Sequence, residues 1–164
     1  MAVRGAPPQH GAPGERPALD RRWLAHLRRD GAAAGDGAAL AHSGTLERGI
    51  AEFNDGRFFA SHETWEALWG ETRYPERLFC LALTKLGAGF EHGRRANPHG
   101  AAKLLTDALA YLAPFMPAFA GLDVRALHED VSAWLEAPDT RTPPYPTIRR
   151  APSPSPSPPA GERG

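Results

Sequence analysis

Residues Phe53 to Trp69 read FNDGRFFASHETWEALW. These seventeen residues carry five large aromatics, Phe53, Phe58, Phe59, Trp65 and Trp69, with His62, Glu63 and Glu66 set among them. The aromatics predict a helix built to be buried. Polar groups on a burying helix cost free energy unless they are paired, so the histidine and the glutamates need an account. At 100° per residue, His62 and Glu66 fall one turn apart on the face shared by Phe58 and Trp69. Glu63 points off to the side. His62 and Glu66 are therefore expected to be largely buried, bonded to each other or to a polar group of the following helix, with Lys85 the first candidate.

Helical periodicity extends on both sides. Ser43-Gly44-Thr45 opens the preceding helix, with Thr45 expected as its N-cap and Leu46, Ile50 and Phe53 as its buried stripe. Asn54-Asp55-Gly56 reads as a turn, with Asp55 placed to cap the helix from about Arg57 to Gly70. Tyr74-Pro75-Glu76 starts a third helix that is apolar nearly all round and so should be central. Asn97-Pro98 starts a fourth, with Leu104, Leu105, Ala108, Leu109 and Leu112 inward. Asp123 caps a fifth, striped by Leu127, Val131, Trp134 and Leu135. No period-2 run is long enough for a sheet. The expected fold is all-α: a compact five-helix bundle of antiparallel helices over residues 40–137. Residues 1–38 read as a mostly disordered extension with a short helix at 19–29, and 138–164 as a Pro/Ser-rich tail. Residues 44–137 are expected to fold alone. Within the tail, Tyr145 to Ile148 should pack on the bundle, unlike the SPSPSPP that follows.

The chain has 164 residues and a formal net charge of zero. That charge is unevenly spread: thirteen acidic and nine basic residues lie between Gly44 and Ala137. An acidic bundle argues against nucleic acid as a ligand, because phosphate-backbone binding needs a basic patch. No apolar run approaches a membrane span, and the first residues show no secretory signal. A cytoplasmic location is the expectation. Cys80, the single cysteine, excludes an internal disulfide and reads as a small buried hydrophobe.

The chain resembles a family of small helical proteins, domain-of-unknown-function family 309. The residues that carry the resemblance are Phe53-Asn54, Gly56, Phe58-Phe59, His62-Glu63, Trp65-Glu66 and Trp69. After them come Asn97, Gly100-Ala101, Leu104-Leu105, Ala108-Leu109, Leu112 and Gly121-Leu122-Asp123-Val124. The tail element Pro144-Tyr145-Pro146-Thr147-Ile148-Arg149 also matches. The resemblance implies an all-helical domain and no established activity. It also implies two glutamines on the third helix, where this chain has Leu81 and Lys85.

The polar cluster admits three readings. It can be structural, a pair that fixes helix register and is neutralised by Lys85. It can be a recognition pocket of Phe58, His62, Trp65, Glu66, Trp69 and Lys85, which makes the protein a binding or structural module. A partner helix, the chain's own tail or a second copy could then use the groove beside Trp65 and Trp69. The alternative is a metal-dependent hydrolase, with a divalent metal on His62, Glu66 and His92 and Glu63 as general base. His62-Glu63-x-x-Glu66 differs from the zinc-protease pattern in its last residue, and an ammonium at Lys85 would repel a cation. His10, His26, His42, His99 and His128 fall on tails, linkers or solvent faces.

Overall fold

A computed structural model describes residues 5–29, 34–137 and 143–152. Among them are seven α-helices: α1 Arg16–Arg29, α2 Ala38–Ala41, α3 Gly44–Asn54, α4 Phe58–Glu71, α5 Glu76–Arg94, α6 Pro98–Leu112 and α7 Val124–Glu136. A two-residue antiparallel pairing, Ala118–Phe119 with Leu122–Asp123, precedes α7. The fold is all-α, and the expected count of five is corrected to seven. The helix expected at 19–29 outside the bundle is α1, part of the core, and the short α2 is the one addition, from a segment whose Ala and Gly content masks the buried Leu40.

Helix α5 is the axis. Thirteen of its nineteen residues are buried, because α4 packs on one side of it and α6 on the other. The turns at 55–57, 72–75 and 95–97 return each helix onto the last. Ser43, not Thr45, caps α3: its Oγ accepts from the backbone N–H of Leu46 at 3.2 Å. Asp55 does not cap α4 but pairs with Arg57 at 2.9 Å. Asn97 and Asp123 cap α6 and α7, accepting from Gly100 and Ala126 at 3.1 and 2.9 Å.

The core holds two aromatic groups. Phe53, Phe58, Phe90 and Trp134 meet edge to face at 4.8 to 5.6 Å. Phe79, Phe115 and Phe119 form the second group at 4.6 to 5.4 Å. Edge-on contacts of this kind add stability beyond the area they bury.

Helix α1 is longer than the predicted 19–29 and packs into this same core. Leu19, Trp23, Leu24 and Leu27 are buried, and the Trp23 ring stacks on Tyr74 at 4.9 Å. Residues preceding it are held too. The Gln9 side-chain amide donates to the Tyr74 carbonyl at 3.1 Å and accepts from the Tyr74 N–H at 2.9 Å. Trp23 Nε1 donates to the Pro8 carbonyl. Composition suggested disorder here, but Gln9 supplies a backbone-like donor and acceptor that a Pro/Gly stretch otherwise lacks.

The tail element docks on the other side. Tyr145 packs against Phe58, Phe90 and Trp134 at 5.0 to 6.0 Å, and Ile148 is buried. The Asn54 side chain donates to the Ile148 carbonyl at 2.9 Å and accepts from its N–H at 2.8 Å. Asp123 and Ala151 donate their backbone N–H groups across the same strip, to Arg149 and Gly121. The SPSPSPP segment lies outside the described residues.

Candidate functional site

Helix α4 is set by its closest neighbour, not by its aromatics. Its buried residues are Phe58, Ser61, Thr64, Trp65 and Leu68, an arc centred on Ser61. Opposite lies Gly87 of α5, where a Cβ would come within 2.9 Å of both Ser61 Oγ and the His62 backbone N. Two small residues let the helix backbones approach there, and Phe58 and Trp65 flank the contact. Trp65 is wholly buried against Gly49 of α3, where a Cβ would lie 2.1 Å from Trp65 Nε1.

This rotation carries His62 and Glu66 to the rim. Their side chains are 27 % and 55 % exposed, with Nε2 and Oε2 3.3 Å apart. The expectation that both are largely buried is corrected for Glu66: the stripe turns on Ser61, so a residue five positions on faces outward. His62 does bond to the following helix, but through the Thr84 backbone carbonyl, 3.1 Å from Nδ1. A carbonyl only accepts, so Nδ1 carries the proton. Lys85 is not the partner. It shares the α5 face of Gly89, which packs on Leu105 of α6. Its ammonium accordingly lies 3.7 Å from Asp107 and 5.8 Å from the Tyr111 ring.

The predicted pocket therefore does not assemble as one set. Trp65 is core. Trp69 is half-buried two turns beyond His62 along α4, with the Arg77 guanidinium 4.3 Å over its ring. Glu63 is exposed. His92 is exposed, and its Nδ1 is 2.9 Å from Asn97 Nδ2. Among the described residues no three His, Cys, Asp or Glu side chains converge closely enough to hold a metal. His62 and Glu66 supply two donors at most, which is short of the three protein ligands of a catalytic zinc.

His62 and His92 do share a cleft. It encloses about 190 Å³ between α4 and α5 and is lined by Phe59, His62, Ala88, Glu91, His92 and Arg95. Phe59 is 52 % exposed at its rim, 6.3 Å from the His62 ring. Glu91 is buried and already bound, by Arg94 at 2.6 Å and Arg95 at 2.7 Å. The walls thus combine apolar surface with the nitrogen heads of His62, His92 and Arg95.

Several polar groups of weight were not foreseen. Glu52 is buried and accepts from the Thr64 hydroxyl at 2.6 Å. Asp20 is buried under the Tyr74 hydroxyl, with Arg77 Nε 3.4 Å away. Burial pushes the Asp20 carboxyl up from its ordinary value, against the opposing pull of the Tyr74 and Arg77 hydrogen bonds. Burial, and then the bond to Asp20, raises Tyr74 as well. The one available signal for Asp20 was its position beside Leu19 on the face of Leu24 and Leu27. Cys80 is fully buried, and burial pushes its thiol up to about 12, which leaves no thiolate for nucleophilic chemistry.

The family described as Domain of unknown function (DUF309) matches residues 46–104. That segment runs from the buried stripe of α3 through α4 and α5 into α6, and it contains every residue of the cleft. The resemblance read from the sequence is shown over this span. A search of curated proteins gives no match. Among the described residues, no helix is long and apolar enough to cross a membrane.

Proposed function

We propose that this chain is a binding module whose recognition site is the cleft between α4 and α5 around His62. The observation that carries the reading is Phe59. A large apolar side chain half in water is a cost the rest of the surface avoids: among the described residues, Met116 alone shares it. Phe59 sits at the mouth of the cleft, beside the His62 of the motif. Exposed apolar surface rimmed by polar groups is the ordinary signature of a binding site.

The lining points to the ligand's chemistry. Phe59 and Ala88 take an apolar body. His92 and Arg95 offer N–H groups to an anionic head, while the carboxylate of Glu91 is spent on its two arginines. An apolar group bearing a carboxylate, such as a peptide C-terminus, fits both requirements. The hydrolase reading has two donors and no third, so the binding reading stands ahead of it.

The test uses N-acetyl-leucine and its amide as probes, followed by chemical shifts of the His62 and His92 rings. The carboxylate form is expected to shift both rings, and the amide to bind at least about fivefold more weakly, as for loss of a charge-assisted bond. Phe59→Ala should weaken the carboxylate form without unfolding the chain. Equal binding of acid and amide, or shifts that ignore Phe59→Ala, would sink the reading. Stoichiometric zinc or manganese in the purified protein, lost on His62→Ala, would restore the hydrolase.

A further inference from the structure

A second cavity, of about 210 Å³, lies between α1, α5 and α6 and shares no residue with the His62 cleft. Helix α1 contributes Asp20 and Arg21 to its wall, α4 the Trp69 side chain, α5 the one-turn pair Leu81 and Lys85, and α6 Tyr111. What the polar groups of this wall already bind decides what the cavity can hold.

Asp20 is 3 % exposed. Its Oδ1 accepts from both the Tyr74 hydroxyl and Arg77 Nε, and among the described residues Oδ2 accepts from nothing. Tyr111 is buried too, and among the described residues its hydroxyl makes no hydrogen bond. Neither oxygen is sealed. The sealed and unbonded side-chain atoms among the described residues are Trp69 Nε1, Arg77 Nη2 and Trp134 Nε1. Asp20 Oδ2 and the Tyr111 hydroxyl therefore each keep an open side, and both residues line this cavity. Burial raises the Tyr111 hydroxyl above its ordinary pKa and the Asp20 charge adds to the rise, which places the two oxygens in one electrostatic neighbourhood. Leaving such groups without partners is costly, so they mark a place for a ligand's polar atoms. The Lys85 ammonium lies 3.7 Å from Asp107, beyond hydrogen-bond length, and its N–H groups stay available. Arg21 is exposed at the rim.

We propose that this cavity binds a free α-amino acid with an apolar side chain. Its ammonium donates to Asp20 Oδ2, and its carboxylate accepts from the Lys85 ammonium and the Tyr111 hydroxyl, with Arg21 at the rim. Its side chain lies against Trp69 and Leu81. A simple carboxylate meets Asp20 as a like charge, and a simple amine meets Lys85 and Arg21 in the same way. A zwitterion answers both signs at once. The space is below the 300–1,000 Å³ or so typical of a drug-sized ligand, which suits a single amino acid and not a peptide.

The probes are leucine, N-acetyl-leucine, which lacks the ammonium, and leucinamide, which lacks the carboxylate. The readout is the Trp69 indole N–H resonance of the full chain, assigned by its loss in Trp69→Phe. Leucine is expected to shift it, and each derivative to bind at this site about tenfold or more weakly. Tyr111→Phe keeps the buried ring and removes only the hydroxyl; it should weaken leucine about tenfold. Lys85→Gln should weaken leucine by a similar factor and leave leucinamide no weaker, a split that a loss of packing does not produce. Asp20→Asn, once circular dichroism shows it folded, should lose the preference for leucine over N-acetyl-leucine. Phe59→Ala disables the other cleft and should leave the leucine shift of Trp69 in place, so the two sites stand or fall separately. No shift of Trp69 with leucine means that a bridging water satisfies the two oxygens, and overturns the proposal. Equal binding of all three probes, or leucine binding unchanged in both Tyr111→Phe and Lys85→Gln, overturns it as well.

Discussion

Glu52 and Glu66 show how little residue type says about energetic weight. Both stand among aromatics in sequence. Glu66 is 55 % exposed and pairs with His62 at 3.3 Å, so its pairing is screened by water. Glu66→Ala is expected to change stability by less than about 1 kcal/mol. Glu52 is buried, and its removal leaves the Thr64 hydroxyl without its acceptor. Glu52→Ala is expected to cost about 1–3 kcal/mol. Urea unfolding of the two variants checks the order. A larger loss for Glu66→Ala would mean that α4 is rotated from the position described.

The tail strip is held chiefly by one side chain of α3. Asn54 meets both backbone groups of Ile148, much as a neighbouring strand would, while Tyr145 and Ile148 fill apolar hollows. Asn54→Ala removes two hydrogen bonds of about 1 kcal/mol each. The strip should then open roughly tenfold or more often, with trypsin cleavage after Arg149 and Arg150 faster by that factor while the melting temperature moves little. Unchanged cleavage would show that Tyr145 and Ile148 suffice alone. The docking of this element was legible, because tyrosine and isoleucine are out of place in a solvated proline-rich tail. The role of Asn54 was not: the resemblance pointed to it, but only the fold shows that it faces residues 94 positions away.

Across the whole molecule, α1 decides how much of the chain one cooperative unit includes. Four of its apolar side chains are buried, each worth about 1.5–3 kcal/mol of burial. Their sum rivals the roughly 5–15 kcal/mol by which a typical domain is stable. Deletion of residues 1–37 is therefore expected to leave 44–137 without a cooperative melt, as read by circular dichroism and calorimetry. Cooperative melting of the shortened chain at the wild-type temperature would show that α1 is an appendage and that 44–137 folds alone.

By itself the sequence determined the helical class, the existence and approximate places of α3 to α7, the cap at Asp123, the central place of α5 and the docking of Tyr145. Each follows from local periodicity or local chemistry, which the chain carries wherever it goes. The tertiary structure alone decided the rotation of α4. That depends on Ser61 meeting Gly87, two small residues whose closeness no aromatic stripe reveals. It moved Glu66 to water, sent Lys85 to Asp107 and left His62 beside His92 at a cleft. It also brought Asp20 to one cavity with Lys85 and Tyr111, since segments so far apart in the chain meet only when their apolar faces find a common core.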